Sequence, residues 1–433
     1  MKILVVGSGA REHAVVRALA TARDARGPEE ARAEHELHAA PGNPGVAALA
    51  TLHDVDPVDP DAVAALATTL GADLVVVGPE APLVAGVADA VRAAGIPCFG
   101  PSAEAARLEG SKAYAKDVMA SAGVPTAMAH VCTTPEEVAA ALDAFGAPHV
   151  VKDDGLAAGK GVVVTSDRDA ALEHARRCLA GGGTVVVEEY LDGPEVSLFC
   201  LSDGTTVVPL APAQDFKRAY DDDEGPNTGG MGAYSPLTWA PEDLTAEVVA
   251  RVAQPTVDEM RHRGVPFVGV LYCGLALTPR GLRVIEFNAR FGDPETQVVL
   301  ARLASPLAEV LLAAAQGRLD DLPPLHWHEE AAVTVVVAAH GYPGSVRAGD
   351  AVEGVEDAEQ VPGVHVLHAG TARDDDGTLV SSGGRVLSVV GVGADVDAAR
   401  ETAYRGVEHV RLRGSHHRTD IAARMPVVPT ADA

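Results

Sequence analysis

The chain has 433 residues, with 34 Lys+Arg against 61 Asp+Glu and a formal charge of −27. Apolar residues make up 47% and aromatics only 4%. That excludes global disorder, and the length fits about three domains at ~150 residues each. Such acidity excludes a general nucleic-acid binder, which needs a basic face for the phosphate backbone. A small anion in a cleft lined by a few cations remains compatible with it. The five cysteines (98, 132, 178, 200 and 273) form no Cys-x-x-Cys pair, which predicts a reducing compartment rather than a disulfide scaffold. The opening Met1-Lys2-Ile3-Leu4-Val5-Val6-Gly7 lacks a signal-peptide core, and no apolar run approaches bilayer thickness. A cytoplasmic protein with no membrane partner is expected.

Along the chain, Ile3–Val6 reads as a strand ending in Gly7-Ser8-Gly9, and Glu12–Ala22 as a helix. Leu74–Val77 is a second buried run ending in Gly78-Pro79-Glu80, followed by a helix over Val84–Ala94 and a strand over Ile96–Phe99. This alternation predicts a parallel sheet with helices on both faces. Ligands then sit beyond the C-terminal strand ends, where both glycine turns lie. From about Ser102 the pattern changes to a helix over Lys112–Ala122, strands over His149–Lys152 and Thr184–Glu189, and a long polar loop over Gln214–Tyr234. A strand over 282–288 and one long helix over Val298–Ala315 follow. Leu322-Pro323-Pro324-Leu325 reads as a boundary. Val-rich runs at Val333–Val337, Val364–Leu367 and Val386–Val390 predict a small C-terminal α+β domain, with a loose tail after about Met425. His416-His417 reads as a solvated terminus.

Several motifs carry chemistry. Gly7-Ser8-Gly9-Ala10-Arg11-Glu12 begins like a dinucleotide fingerprint, but Glu12 stands at the third glycine position, where it would crowd the helix–strand contact and repel a pyrophosphate. A nicotinamide site is therefore disfavoured. A turn feeding a helix N-terminus still favours an anion, and Arg11 adds a fork suited to phosphate; the alternative is a structural turn with a surface Arg. Lys152 and Lys160 bracket the run Asp153-Asp154-Gly155-Leu156-Ala157-Ala158-Gly159. Its small residues let backbone N–H groups approach a polyphosphate, and it is not a P-loop, since no Gly-Lys-Ser/Thr opens a helix. Val185–Glu189 ends a strand in paired acids, compatible with a hinge over adenine, with Glu195 on ribose hydroxyls, or with simple solvation. In Glu286-Phe287-Asn288-Ala289-Arg290 the period-2 rule puts Glu286, Asn288 and Arg290 on one face and Ile285 and Phe287 on the other. A carboxylate and an amide oxygen side by side are hard ligands suited to Mg²⁺. The glycine-rich run Gly225–Tyr234 follows the acid run Asp221–Glu224. Its ordering entropy makes sense if it wraps a small ligand; the alternative is a linker.

Taken in order, Gly9-Ala10-Arg11-Glu12-His13, Pro41-Gly42-Asn43, Gly78-Pro79-Glu80-Ala81-Pro82-Leu83, Gly110-Ser111-Lys112, Asp154–Gly161, Gly225–Tyr234 and Arg290-Phe291-Gly292-Asp293-Pro294-Glu295 resemble the phosphoribosylamine–glycine ligase family of ATP-grasp enzymes over nearly the whole chain. The resemblance implies an α/β and α+β multidomain fold. An N-terminal parallel-sheet (pre-ATP-grasp) domain would span 1–101, and a central ATP-grasp domain 102–325, with a lid subdomain over about 123–190. A small C-terminal α+β domain would span 326–425, with a tail at 426–433. It implies ligation of glycine to 5-phosphoribosylamine in purine synthesis, with ATP and Mg²⁺ (or Mn²⁺) as cofactors, by a monomer with no nucleic-acid partner. Lys112, Lys152 and Lys160 would contact ATP phosphates. Glu188, Glu189, Leu191 and Glu195 would hold adenosine, and Glu286 and Asn288 the metal. Asp215, Lys217, Arg290 and Asp293 would surround glycine and its acyl phosphate. The turns carrying Gly9, Arg11, Glu12, Pro79 and Glu80 would face phosphoribosylamine. Asp153 departs from the small residue the family has there. The glycine loop around Lys160 and the segment 221–234 are the expected moving parts. Other readings are a different ATP-grasp ligase, a nucleotide-binding regulator without turnover, and a dehydrogenase.

Overall fold

The computed structural model describes residues 1–23, 30–32, 35–155 and 161–428. The first sheet is parallel throughout. Lys2–Gly7 is central, with Glu36–Pro41 and then Thr51–Leu52 on one side, and Leu74–Val77 and then Cys98–Phe99 on the other. Ile3–Val6 and Leu74–Val77 are buried on both faces, as a helix-covered parallel sheet requires. Chain order reverses across Lys2–Gly7, so a crevice opens beyond its C-terminal end. The helix read over Val84–Ala94 is in fact two, Glu80–Ala85 and Val87–Ala93. Gly86, at φ 93, separates them in a left-handed conformation.

Two antiparallel four-stranded sheets form the centre. The lid sheet runs in the order Val162–Thr165, His149–Asp153, Val185–Glu188, Ala129–Cys132. Helices Pro135–Phe145 and Arg168–Leu179 close a small core on one face of it, around Val138, Leu142, Val151, Ala171 and Val187. The body sheet runs Val207–Pro209, Glu195–Asp203, Val268–Thr278, Gly281–Asn288. Helix Lys112–Ala122 forms as read, N-capped by Ser111 and ended by Gly123 at φ 66.

The fourth sheet differs most from the sequence reading. The polar loop over Gln214–Tyr234 is largely strand. Gln214–Asp215 pairs with Gly232–Ser235, and Arg218–Tyr220 pairs with Glu224–Asn227. Gly232–Ser235 then pairs with Ala331–Ala338, and Arg385–Gly393 and Val364–His368 complete the sheet. One sheet therefore joins the middle of the chain to its end. The single helix read over Val298–Ala315 is two, Glu295–Arg302 and Leu307–Ala315. Pro306 has no N–H to continue the ladder and disfavours helical backbone before it. His416-His417 is not a solvated end. His416 exchanges backbone hydrogen bonds with Ala338 (2.9 and 3.0 Å), and its ring lies 5.8 Å from that of Tyr220. Among the described residues no helix is long and apolar enough to cross a membrane.

Candidate active site

The strand Gly281–Asn288 shapes the site. Its register against Val268–Thr278 shifts between Gly274, opposite Glu286, and Leu275, opposite Val284. Ile285 is thus the extra residue of a β-bulge. The bulge explains a departure from strict alternation. Phe287 is buried in the core and touches only the first chamber, whereas Ile285 joins Glu286 and Asn288 in lining both chambers of the cleft between the lid and body sheets. It also leaves the Ile285 carbonyl free to accept a hydrogen bond from Lys152 Nζ at 2.9 Å. The strand ends at Asn288, so Arg290 lies in the following bend.

The cleft has two chambers that share Lys152, Val162, Glu188, Ile285, Glu286 and Asn288. In the first, Glu188 is held between two ammonium groups, Lys152 at 2.9 Å and Lys116 at 3.2 Å. Burial opposes the Lys152 charge, but Glu188 and Glu286 outweigh it and hold the ammonium above the usual lysine range. Burial, together with repulsion from Lys152, brings Lys116 down to about 8 against the pull of Glu188. Lys112 lines the same chamber and donates to the Gly155 carbonyl at 3.0 Å. Asp154 ties that loop to the helix start, accepting from Ala113 N at 2.7 Å and from the Ser111 hydroxyl. Asp153 turns toward Cys178 on the helix-covered face, where, after burial, it pushes that thiol up. Lys160 lies outside the described residues.

The second chamber is lined by Glu189, Leu191, Glu195, Asp215, Lys217, Arg290, Asp293 and Glu295. Lys217 bridges Glu195 (2.6 Å) and Asp215 (2.8 Å). Burial pushes the Asp215 carboxyl up, Lys217 opposes this, and Glu295 and Glu195 add to the rise. Buried Glu295 accepts from the hydroxyls of Ser197 and Tyr272, both at 3.0 Å. Glu189 is committed to the scaffold, accepting from Met128 N at 3.1 Å and pairing with Arg280 at 2.9 Å.

The N-terminal turns close the far end. Glu12 is 2% exposed and fills the space left by two missing side chains. A Cβ on Gly7 would fall 2.6 Å from Glu12 Cγ, and one on Gly78 would fall 2.2 Å from its Oε1. The carboxylate accepts from Gly9 N at 2.6 Å and pairs with Arg11. Glu12 therefore acts inside the turn, as a capping group. Pro79 caps the helix that opens with Glu80. Arg290 pairs with Glu80 (3.3 Å) and with Glu109 (2.9 Å). Burial opposes the Glu80 charge, but Arg290 and Arg11 outweigh it and lower its carboxyl. The acid run that opens the segment 221–234 is tied to the C-terminal part of the chain. Asp221 accepts from Thr419 N at 2.8 Å, Asp222 N donates to Asp420 at 2.9 Å, and Arg418 pairs with Asp223 at 2.7 Å.

Three family models match in succession, those of the phosphoribosylglycinamide synthetase N domain (1–109), ATP-grasp (A) domain (110–296) and C domain (332–424). The chain belongs to the phosphoribosylglycinamide synthetase family. A phosphoribosylamine–glycine ligase of Streptomyces coelicolor is 66% identical over 98% of this chain and 99% of its own. One of Mycobacterium tuberculosis is 58% identical over 98% of each chain. The crystal structure of the phosphoribosylamine–glycine ligase of Thermotoga maritima superposes with a TM-score of 0.81 at 33% identity, over 97% of this chain and 100% of that one. The biotin carboxylase domain of a Hydrogenobacter thermophilus 2-oxoglutarate carboxylase, solved with MgADP and bicarbonate, shares the fold (TM-score 0.69, 18% identity, 96% and 91% covered).

Within this synthetase family fold, the residues singled out from the sequence and described here fall into the cleft or its N-terminal rim. Glu109, Lys116, Tyr272 and Glu295 also line it, and sequence reasoning assigned them no role. Lys116 carries a local signal, since it follows Lys112 by one helical turn and shares its face. Glu109 and Tyr272 carry none, because their neighbours are distant in sequence.

Proposed function

We propose that this chain joins glycine to 5-phosphoribosylamine, converting ATP to ADP and phosphate and giving glycinamide ribonucleotide, through glycyl phosphate. The observation that carries the reading is the two-chambered cleft. A lysine-lined chamber suits the polyphosphate and an acid-lined chamber suits an amino acid's ammonium. Both share the wall bearing Glu286 and Asn288.

In this reading Lys112, Lys152 and Lys160 hold the phosphates, and Glu188, Glu189, Leu191 and Glu195 hold adenosine. Glu286 and Asn288 suit a divalent cation, since both present hard oxygens to the cleft and neither side chain has a hydrogen bond or ion pair among the described residues. Among those residues no cluster of three or more His, Cys, Asp or Glu side chains is arranged for a metal. Two protein ligands, with phosphates and water completing the shell, is the mode Mg²⁺ favours. Bound there, Mg²⁺ or Mn²⁺ supplies positive charge to the transferring phosphoryl group.

Glycine's ammonium sits against Asp215 and Asp293, which leaves its carboxylate toward the phosphates. A carboxylate oxygen attacks the γ-phosphorus and ADP departs, a step served mainly by positioning and fixed charge. The amine of phosphoribosylamine, held at the turns of Gly9, Arg11, Glu12, Pro79 and Glu80, then attacks the acyl carbon; phosphate leaves and the nitrogen gives up a proton. Arg290 stands between the two substrates, and Lys217 keeps Asp215 in place. The proposal divides the chain at about 101, 325 and 425, and takes it as a cytoplasmic monomer. Measuring ADP release with glycine and phosphoribosylamine omitted in turn tests the activity. Release should require glycine, and ligation should require both. Release that is indifferent to glycine overturns the reading.

A further inference from the structure

The loop and turn that wall the acid-lined chamber are fastened from behind by a residue of the C-terminal third. Arg385, at the start of the strand Arg385–Gly393, extends its guanidinium to Gly229-Gly230 and to the Asp293-Pro294 turn. One nitrogen donates to the carbonyls of Gly229, of Gly230 (3.3 Å) and of Asp293 (2.8 Å). The other pairs with Asp293 Oδ2 at 3.1 Å. Gln297 Nε2 donates to the second Asp293 oxygen at 2.7 Å, so that carboxylate is held on both sides. The Tyr342 hydroxyl, also from the C-terminal third, accepts from Gly229 N at 3.0 Å.

The glycines of this loop answer to that contact. A Cβ on Gly229 would lie 3.1 Å from the Arg385 guanidinium carbon, and one on Gly230 (φ 107) would lie 2.4 Å from Pro294 Cδ. The backbone is thus pressed between Arg385 and the Asp293-Pro294 turn. Thr228, Gly229 and Asp293 line the chamber, and Arg385 does not. We propose that Arg385 is a positioning residue for the amino-acid site, setting the gap between Gly229 and Asp293 and so the fit for the smallest amino acid. Only a planar fork spans three carbonyls and a carboxylate at once; an ammonium at the same place keeps the charge and loses the span. The proposal rests on glycine lying in this chamber.

Steady-state kinetics on Arg385→Lys, Tyr342→Phe and Asp215→Asn test it. Arg385→Lys should raise the KM for glycine about tenfold and narrow the preference for glycine over alanine, with the KM for ATP within about twofold of wild type. Tyr342→Phe, which removes one hydroxyl, should raise the glycine KM about threefold in the same selective way. If Asp215→Asn weakens glycine while the other two leave its KM unchanged, or raise the KM values of glycine and ATP alike, the role of Arg385 is overturned and the placement of glycine stands. If Asp215→Asn leaves the glycine KM unchanged, the placement itself fails, and the role of Arg385 with it. Should Arg385→Lys not fold, the same outcomes are read on Tyr342→Phe.

Discussion

Arg11 and Arg290 donate to the same acceptor, the Phe291 carbonyl, at 3.1 and 3.2 Å. One guanidinium comes from the first glycine turn and the other from the bend after the strand Gly281–Asn288. Their shared oxygen ties the first glycine turn to the bend that carries Arg290, which in the proposed reading hold phosphoribosylamine and the acyl group.

Arg11→Ala removes the first of these arms. The KM for phosphoribosylamine should rise about tenfold or more, the scale of a lost hydrogen bond to a charged group. The KM for ATP should not move. Initial-rate kinetics with each substrate varied check this, and an unchanged phosphoribosylamine KM returns the turn to a purely structural role.

Glu286→Gln keeps the shape of the pair proposed to hold the cation and removes its charge. Glycine-dependent ADP formation should fall by about 100-fold or more, with a melting temperature close to wild type, because the side chain faces the cleft. A magnesium titration followed by ADP release is the measurement. Normal activity with normal Mg²⁺ dependence would refute the assignment.

Acid should loosen the seam between the N-terminal and C-terminal parts. His13 Nδ1 accepts from His368 N at 2.9 Å, so it must be unprotonated there. Burial, with the nearby His368 and Arg17, lowers His13 to about 3, and burial, with Arg373, lowers His368 to about 4. Below the unfolded value of about 6.5 the unfolded chain takes up protons that the folded chain refuses, so stability falls as pH drops through that window. Thermal unfolding at pH 7.5, 6 and 5 (about one unit of pH costing up to ~1.4 kcal/mol per group) should show a steeper loss in wild type than in His13→Gln.

Gly78→Ala should cost about 2 kcal/mol or more, since its new methyl must expel the buried Glu12 carboxylate from Gly9 and Arg11. Gly71→Ala is the matched control. Its Cβ meets nothing within 4 Å, so only the φ of +62° opposes it, at about 1–2 kcal/mol. Equal losses in chemical denaturation would show that Glu12 yields easily.

Local patterning carried the parallel core strands, the helix Lys112–Ala122 and the strand with Glu286 and Asn288, because each of those depends on period and caps within a few residues. It mistook Gln214–Tyr234 for a loop, because its strands are only two to four residues long and the one that anchors them in a larger sheet, Gly232–Ser235, finds its partner far along the chain, at Ala331–Ala338. It missed the bulge at Ile285, where one added residue leaves the composition of the strand unchanged. It joined Glu295–Arg302 to Leu307–Ala315 because apolar spacing continues across the Ser305-Pro306 break. The site residues it found stand in glycine-rich or strand-end motifs. Of those it missed, Lys116 stood one helical turn from Lys112, whereas Glu109 and Arg385 owe their place to tertiary contacts alone.

The sheet that runs from Gln214–Asp215 through Gly232–Ser235 to Ala331–Ala338 bears on how the chain can be divided. Severed at Pro323-Pro324, the front fragment would carry Gly232–Ser235 as a bare edge, open to pairing with other copies. The back fragment would lose the strand that borders Ala331–Ala338. Neither piece is a self-sufficient unit, so expressing the two fragments together should recover soluble protein where each alone aggregates.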